Sequence, residues 1–600
     1  MISLIGSIFS KHFARTVSCV RNAVVEMKFN LNRYFDSRDY QSWLGLQSDS
    51  KKKSVEFNVS SSSIRPVFSI LVPVYKVNSK FLEVMLKSVL SQSYSEWQLC
   101  IVDDGSSDKR IHDVIKKYQN NSSKIYSILS NDNQGISSAS NKCLSLAHGD
   151  YIVLLDHDDV LHSDALLFLA DAIIKNPKSK IIYTDEDKID KEGRRYSPHF
   201  KPDFNYDLLL SQNYICHLTC YKTNLVVGVG GFRQGFEGSQ DYDLLLRCIS
   251  KINPNQIVHI PEVLYHWRAC SGSTALEHSA KNYTTAAGIK SLIRHFSASP
   301  EVSIKKGMLP NTYQVRWPIL GSQPSVALIV PTRDGFQILK QCIDNILSKT
   351  HYQNYQIVVV DNQSSCKKTL SYLKKISCYE KIRVVKFNKP FNYSEINNFA
   401  VDLVDSELIG LVNNDTEVIS KDWLNEMVSH AIRPDIGCVG AKLYYPDNTI
   451  QHAGVILGIA GYAGHAHKHY PKNKSGYFSR LKLIQNFSAV TGACLLVRRK
   501  TYLEVGGLDQ DNLKVALSDI DFCLKVREAG YRNLWTPYAE LYHHESKSRG
   551  AEDTPEKQQR FEKEVEFMKE KWGDALNNDP AYNPNLTLKH EDFRIGNPTC

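Results

Sequence analysis

The apolar positions of this chain fall in short runs, and the stretches between them keep a different rhythm. One run occupies 68–74 (FSILVPV) and another 98–102 (QLCIV). Between them Phe81, Met85, Leu86, Val89 and Leu90 recur at the spacing of one helical face. Strand, helix and strand in that order predict a parallel sheet in an α/β domain. In open sheets of this kind ligands gather beyond the carboxyl ends of the strands. The chemistry is therefore expected where the apolar runs stop, and that is where acidic residues cluster.

The pattern is written twice. FSILVPVYK at 68–76 has an echo in VALIVPTRD at 326–334, with Pro73 and Pro331 258 positions apart. IVDDGSSD (101–108) faces VVDNQSSC (359–366) at the same offset, and Asn141 and Asn398 correspond at 257, as do Asp158 and Asp415. SQDYDLLLR (239–247) then recurs as SDIDFCLKVR (518–527), and LYHWR (264–268) as LYHHES (541–546). Six correspondences in one order predict two copies of one fold. Outside them, residues 44–66 are rich in Ser and Lys and read as a linker, and 296–325 read as the connection between copies. Phe561, Val565, Met568 and Trp572 mark one face of a charged helix near the end, expected to dock on the domain before it.

Length and composition narrow the class. Six hundred residues exceed one core, and the size prior suggests about three or four domains. The chain is 42% hydrophobic and 23% charged, as expected of a globular protein rather than a disordered one. Its net charge of +9 is mild over this length; it suits a nucleotide, a lipid phosphate or a membrane surface, and lacks the dense basic stripe of a nucleic-acid binder. The 14 cysteines are scattered without a CxxC pair, which argues for reduced thiols and against a zinc site. No stretch approaches the roughly 20 apolar residues of a membrane span. The opening MISLIGSIFSKHFAR lacks the order of a signal peptide; it suits a helix lying on a membrane as well as one packed on its own domain.

Six strings carry candidate chemistry, each with a plainer alternative. In IVDDGSSD, Asp103 and Asp104 end a strand where they can accept hydrogen bonds from a base or ribose, although Asp-Gly-Ser is also ordinary turn chemistry. In LLDHDDVL, Asp156 and Asp158 cannot be core residues, because unpaired buried carboxylates are costly. Two apart on a strand they would face the same way and hold Mg²⁺ or Mn²⁺ against a diphosphate; the alternative is an acidic turn capping a helix. Asp241 and Asp243 open a helical pattern, where one could be a general base or both could simply favour the helix N-terminus. His266 in LYHWR is a ligand or a packed ring. His465, His467 and His469 would share a face on a strand, but no partner completes a metal site, so a polar loop facing substrate is the better reading. Asp185, Glu186 and Asp187 in YTDEDKID suit either an acceptor-site loop or a solvated acidic turn.

Jointly these strings resemble the family 2 glycosyltransferases, over about residues 66–575: SILVPVYK, VDDGSSD, LLDHDDVL, GSQDYDLLLR and LYHWR in the first copy, and ALIVPTRD, VVDNQSS, LVNNDTEVI, TGACLLVRRKTYLEVGGLD and SDIDFCLKVREAG in the second. The resemblance extends to the tandem-domain enzymes of bacterial surface polysaccharide and O-antigen synthesis. It implies an α/β class with two tandem GT-A (nucleotide-diphospho-sugar transferase, Rossmann-like) domains, mainly parallel central sheets, and helical N- and C-terminal segments. The expected division is 1–65 as a helical segment and linker, 66–295 and 326–550 as the two transferase domains, 296–325 as the connection, and 551–600 as docking helix and tail. Carried over by position, Asp103, Asp104, Asp361 and Asn362 would contact the nucleoside, with Asp156 and Asn413 beside the donor. Asp156, Asp158 and His266, and in the second copy Asp415 with either His543 or His544, would hold the metal, and Asp241 and Asp519 would be the bases. The partners so implied are a UDP-, dTDP- or GDP-sugar donor and a lipid-linked or oligosaccharide acceptor, and no nucleic acid. The location implied is the cytoplasm, with contact to the inner face of the cytoplasmic membrane. Asp104 and Asp156 become Asn362 and Asn413, so the second copy is expected to bind metal more weakly before donor arrives. The string QxxRW of processive synthases does not follow SQDYDLLLR, which favours adding one or a few sugars.

Overall fold

A computed structural model describes residues 40–46, 49–269, 282–545 and 554–596; the reading of the first 39 residues lies outside them. The described residues form two compact units, divided between Val315 and Arg316, rather than the three or four that length suggests. Residues 582–586 belong to the first unit and 587–594 to the second.

In the first unit, helix α1 (Asp49–Ser61) precedes β1 (Phe68–Val74), α2 (Ser79–Leu90), β2 (Trp97–Asp104), β3 (Ile125–Ser130), α3 (Ile136–Leu146), β4 (Tyr151–Leu154) and β5 (Val160–Leu161). Then come α4 (Ala165–Lys175), β6 (Ile181–Ile189), β7 (Arg195–His199), β8 (Thr219–Lys222), α5 (Gln240–Ile249) and β9 (Ile257–Arg268). The sheet runs β3-β2-β1-β4-β8-β6-β9-β5, with β7 paired to β6. Strands β3, β2, β1 and β4 are parallel, β8 is antiparallel between β4 and β6, and β6 and β9 are again parallel. The apolar runs are buried on both faces because helices cover them; α2 presents Leu82, Met85, Leu86 and Val89 to the sheet and leaves Leu90 outside. The two-stranded ribbon of β10 (Ser303–Lys306) and β11 (Tyr313–Arg316) occupies part of the expected connection.

The stretch taken for a linker is a helix. In α1, Val55 and Val59 are buried in the same apolar cluster as Leu166, Ala170 and Ile173 of α4, Lys52 pairs with Asp164 at 3.0 Å, and Asn58 donates to Asp171. Two valines four apart suffice to seat a helix whose other positions are mostly polar. Val59→Asp should accordingly cost about 2–4 kcal/mol in denaturant unfolding. Phe57→Asp, at a residue 74% exposed on the same helix, should cost under about 0.5 kcal/mol.

The second unit repeats the topology. Its strands are β12 (Val326–Thr332), β13 (Tyr355–Asp361), β14 (Ile382–Lys386), β15 (Leu408–Val412), β16 (Thr416–Val418), β17 (Ile436–Tyr444), β18 (Ile450–His452), β19 (Val455–Leu457), β20 (Ala463–His465), β21 (Gln485–Phe487), β22 (Cys494–Arg498) and β23 (Arg532–His543). The main order, β14-β13-β12-β15-β22-β17-β23-β16, matches the first sheet strand for strand. The register repeats too: Val74 stands beside Asp103 on the β1–β2 ladder, and Thr332 beside Asp361 on β12–β13.

Helix α6 (Ser518–Glu528) corresponds to α5, and α7 (Pro555–Asn577) packs against it. The Glu564 carboxylate of α7 accepts the N–H groups of Val515 (2.9 Å) and Ala516 (3.2 Å), while Trp572 and Lys571 donate to Asp521 at 2.8 and 2.7 Å. The docking helix thus fixes the turn into α6, burying Met568, Trp572 and Leu576 along with Glu564. In the first unit Asn583 donates to Asp185 and to the carbonyl of Lys201, both at 2.8 Å, and Asn585 to the carbonyl of Pro261 at 2.9 Å.

Candidate active sites

Strand β4 ends at Leu154, so Asp156 and Asp158 do not alternate along a strand. Residues 156–159 form a turn, closed by Asp159 N–H to Asp156 C=O at 3.3 Å, and a turn brings its first and fourth side chains together instead. The group that results is Asp156, Asp159 and His217, whose ligand atoms all lie within 4.8 Å of one another. Asp158 turns to His157, 3.4 Å away; burial raises its carboxyl, but the hydrogen bond and charge of His157 bring it below the usual range. Asp159 is 1% exposed and accepts the Tyr265 hydroxyl at 2.6 Å and the Arg268 N–H at 2.7 Å. Burial, followed by the charges of Asp156 and Asp158, pushes its carboxyl well above the carboxylate range. The His217 ring stacks on Tyr265 at 4.6 Å and sits 3.8 Å from the Asp156 carboxylate.

Asp241 lies in the first turn of α5 and accepts Asn213 Nδ2 at 2.8 Å. Burial raises its carboxyl, with His217 opposing and Asp156 adding to the shift. The neighbouring Asp243 is held by Arg233 and Arg247 and has a packing role. Asp103 is fully buried; one oxygen accepts Ser106 N–H and meets His112 Nε2, both at 3.0 Å, and the other has no protein partner. Asp104 accepts the N–H groups of Gln134 (3.0 Å) and Gly135 (2.7 Å), tying the end of β2 to the start of α3. Gly105 between them and the next turn is obligatory: at φ +79° an added Cβ would stand 2.6 Å from the Asp132 backbone.

Three further sequence expectations fail on geometry. His266 faces away from Asp156: its Nδ1 meets Asp187 at 2.6 Å, on β6 beside it. Asp185, Glu186 and Asp187 are neither a loop nor a solvated turn but buried positions of β6. Asp185 meets His259 at 2.9 Å and Asp187 meets Tyr40 at 2.6 Å and Arg195 at 2.5 Å; burial raises the Glu186 carboxyl, but Lys201, His199 and His217 together bring it down to about 2. Nor do the three histidines share a face. His465 ends β20, whereas His467 and His469 follow in a turn with φ +57° and +63°. His467 is buried against Phe593 at 4.2 Å, and His465 meets His452 at 2.8 Å.

The second unit builds its site differently. Asp415 and Asn413 both meet His543 Nε2, at 3.1 and 3.3 Å, and Asn414 donates to Thr332 at 3.0 Å. His544 faces Glu417 at 3.4 Å, so of the two candidate histidines His543 is the one beside Asp415. The shared string LYH does not align in space: Val160 stands opposite His266, but its equivalent Glu417 stands opposite Tyr542, and His543 faces Thr416. One register step moves a side chain to the other face of a strand. By the β4–β8 and β15–β22 ladders, Lys222 corresponds to Arg498, which puts Ala493 at the place of His217. The two sites therefore draw histidine from different places, the loop before β8 in the first unit and the end of β23 in the second. Asp519, in the first turn of α6, accepts Gly492 N–H at 2.7 Å, and burial raises its carboxyl. Asp361 accepts Ser364 N–H at 3.1 Å. Asn362 donates to the carbonyls of Phe387 (3.2 Å) and Lys389 (2.8 Å), so its change from Asp104 reverses a backbone contact and does not bear on metal.

Sequence reasoning passed over Asp159 and His217. Asp159 was in view as the third acid of LLDHDDVL. His217 has no local signal, because the turn it serves lies some 60 residues earlier in the chain.

Two open α/β sheets of one strand order, each with acids at the carboxyl ends of its parallel strands, define the GT-A type of fold. Residues 69–226 match the glycosyl transferase family 2 profile and 324–560 that of the glycosyltransferase-like family 2, so the chain carries two family 2 glycosyltransferase domains in tandem. It is 50% identical over 536 residues to an uncharacterised protein of Sinorhizobium fredii, covering 89% of this chain and 59% of that one. It is 34% identical over 557 residues to the O-antigen biosynthesis protein RfbC of Myxococcus xanthus, covering 92% of this chain and 43% of that one. The chain thus spans about half the length of these relatives. Among solved structures, a mannosyltransferase of Pyrobaculum calidifontis in complex with GDP-Man and Mn²⁺ is 18% identical at a TM-score of 0.30, covering 38% of this chain and 59% of that one.

Proposed function

We propose that the protein is an inverting glycosyltransferase that moves sugars from nucleotide-diphosphate donors to a lipid-linked or growing bacterial surface glycan. The observation that carries this reading is the Asp156–Asp159–His217 group with Asp241 at its side, at the strand ends of a family 2 domain. The Asp241 carboxylate takes the proton of the acceptor hydroxyl as its oxygen bonds to the anomeric carbon, and the bond from that carbon to the nucleoside diphosphate breaks on the opposite face. The residues present suit a hard cation, two carboxylates and one imidazole, and Mg²⁺ or Mn²⁺ bound there would neutralise the charge of the departing diphosphate. Asp103 and Asp104, and in the second domain Asp361 and Asn362, are the residues proposed for the nucleoside side of the pocket. Asp519 is the corresponding base of a second active site. Among the described residues no helix is long and apolar enough to cross a membrane.

A second reading makes the C-terminal domain a non-catalytic glycan- or nucleotide-binding module. It is favoured by Asn413 and Thr416 standing where the first domain has Asp156 and Asp159. Calorimetric titration with UDP, dTDP and GDP, each with and without Mn²⁺, tests both readings on the intact protein and on Asp156→Ala and Asp415→Ala. One nucleotide is expected to bind in a metal-dependent manner at two sites, each lost in one variant. Loss in Asp156→Ala alone supports the module reading, and failure of all three nucleotides to bind with Mn²⁺ present overturns the glycosyltransferase reading.

A further inference from the structure

We propose that the buried Lys201–Glu186 pair is a positioning device that holds the main chain around His217 so that its imidazole can serve the cation site. The proposal rests on the reading of His217 as a ligand given above. Lys201 is fully buried, and its ammonium donates to the carbonyls of Ile215 (2.6 Å), Thr184 (2.9 Å) and His217 while sitting 3.2 Å from Glu186. The same Glu186 oxygen accepts the N–H of His217 at 3.1 Å. One ion pair thus grips both the N–H and the C=O of a single residue, and that residue is His217. The grip is anchored to β6: Lys201 donates its own N–H to Asp185 at 2.8 Å, and its carbonyl accepts Asn583 at 2.8 Å.

A second observation points the same way. Cys216, immediately before His217, has φ +43°, a left-handed conformation that costs a non-glycine residue about 1–2 kcal/mol. The carbonyls on either side of it, those of Ile215 and His217, are the two that Lys201 holds. A buried ion pair is a weak source of net stability compared with apolar residues of the same volume, so its presence here fits a role in placement. Partners outside the first ring of ligands commonly set metal affinity by about 10–100-fold.

The test uses the full chain carrying Asp415→Ala, so that the first site is titrated alone. Binding of Mn²⁺ and of Ca²⁺ is measured without nucleotide, the former by the spin resonance of free Mn²⁺. The comparison is among the parent, His217→Ala, and the double variant Lys201→Met with Glu186→Gln, which removes both charges at nearly constant volume. His217→Ala and the double variant are each expected to weaken Mn²⁺ by about 10–100-fold. Ca²⁺, which takes oxygen ligands, should be held as before. A general loosening of the fold would lower both ions together and would overturn the proposal. So would a folded double variant that binds Mn²⁺ like the parent while His217→Ala does not. If His217→Ala itself binds Mn²⁺ like the parent, the ligand reading fails and the proposal falls with it. Should the double variant not unfold cooperatively in EDTA, Glu186→Gln alone decides, and an unchanged Mn²⁺ affinity there overturns the proposal.

Discussion

Asp241→Asn is expected to lower kcat/KM for one glycosidic linkage by about 10²–10⁴-fold, the usual share of a general base, and to leave the other linkage intact. Asp519→Asn is expected to do the reverse. Product analysis after each substitution counts the working sites: one lost linkage per variant means two, and a silent Asp519→Asn means one. Both carboxyls are raised by burial, so the acid limb of each pH–rate profile should lie above the range of an ordinary carboxylate. The sign for stability is opposite to that for activity. A carboxyl whose folded value exceeds its unfolded value contributes stability only at low pH and loses it as pH rises through the folded value. Asn removes the ionised group while its amide oxygen can still accept from Asn213, so Asp241→Asn should raise the Tm at pH 7 by about 1–3 °C. That difference should close as pH falls below about 4. Calorimetric scans across pH, set beside the rates, separate a strained functional acid from an ordinary cap.

Exchanging one residue between the domains should shift metal affinity in opposite directions. Asp156→Asn gives the first site the residue that Asn413 supplies in the second, removing one charge from a group of two carboxylates and a histidine. A fall in Mn²⁺ affinity of about 10–100-fold is expected, equivalent to roughly 1.4–2.7 kcal/mol. Asn413→Asp, placed beside Asp415 and His543, should strengthen Mn²⁺ binding at the second site. The Asp156 side chain is 47% exposed, so folding should be little affected. The same titration of unmodified protein should show a tight and a weak site. Two sites of equal affinity would mean that the carboxylates of the 156–159 turn do not set the difference.

The repeated α/β topology was legible because apolar runs such as 68–74 and 326–332 are long enough to name strands, and because landmarks recur at one offset. The placement of acids at strand ends was legible for the same reason. What escaped is what depends on backbone direction and on distant partners. Asp156, Asp158 and Asp159 look alike in a string, and only the turn decides which two meet. LYHWR and LYHHES share their first three letters, yet the ladders place their histidines one register position apart. Asp185–Asp187 resemble a solvated turn until His259, Lys201, Arg195 and Tyr40 close around them from up to 147 residues away. Helix α1 escaped because two valines do its packing amid Ser and Lys, a case of tertiary burial overriding composition.

The hydrogen bonds from Asn583 and Asn585 to Asp185, Lys201 and Pro261 carry a consequence for the order of events during synthesis. At elongation rates of about 5–20 residues per second, the residues between 295 and 585 take roughly 15–60 s to be made. For all of that time the N-terminal domain is out of the ribosome without the segment 582–586 that its buried Asp185 and Lys201 bond to. It starts first and is finished last. Pulse-labelled chains should therefore yield a protease-resistant N-terminal fragment only after translation has passed Asn585, and shortening the gene before that codon should impair the domain encoded nearest its beginning.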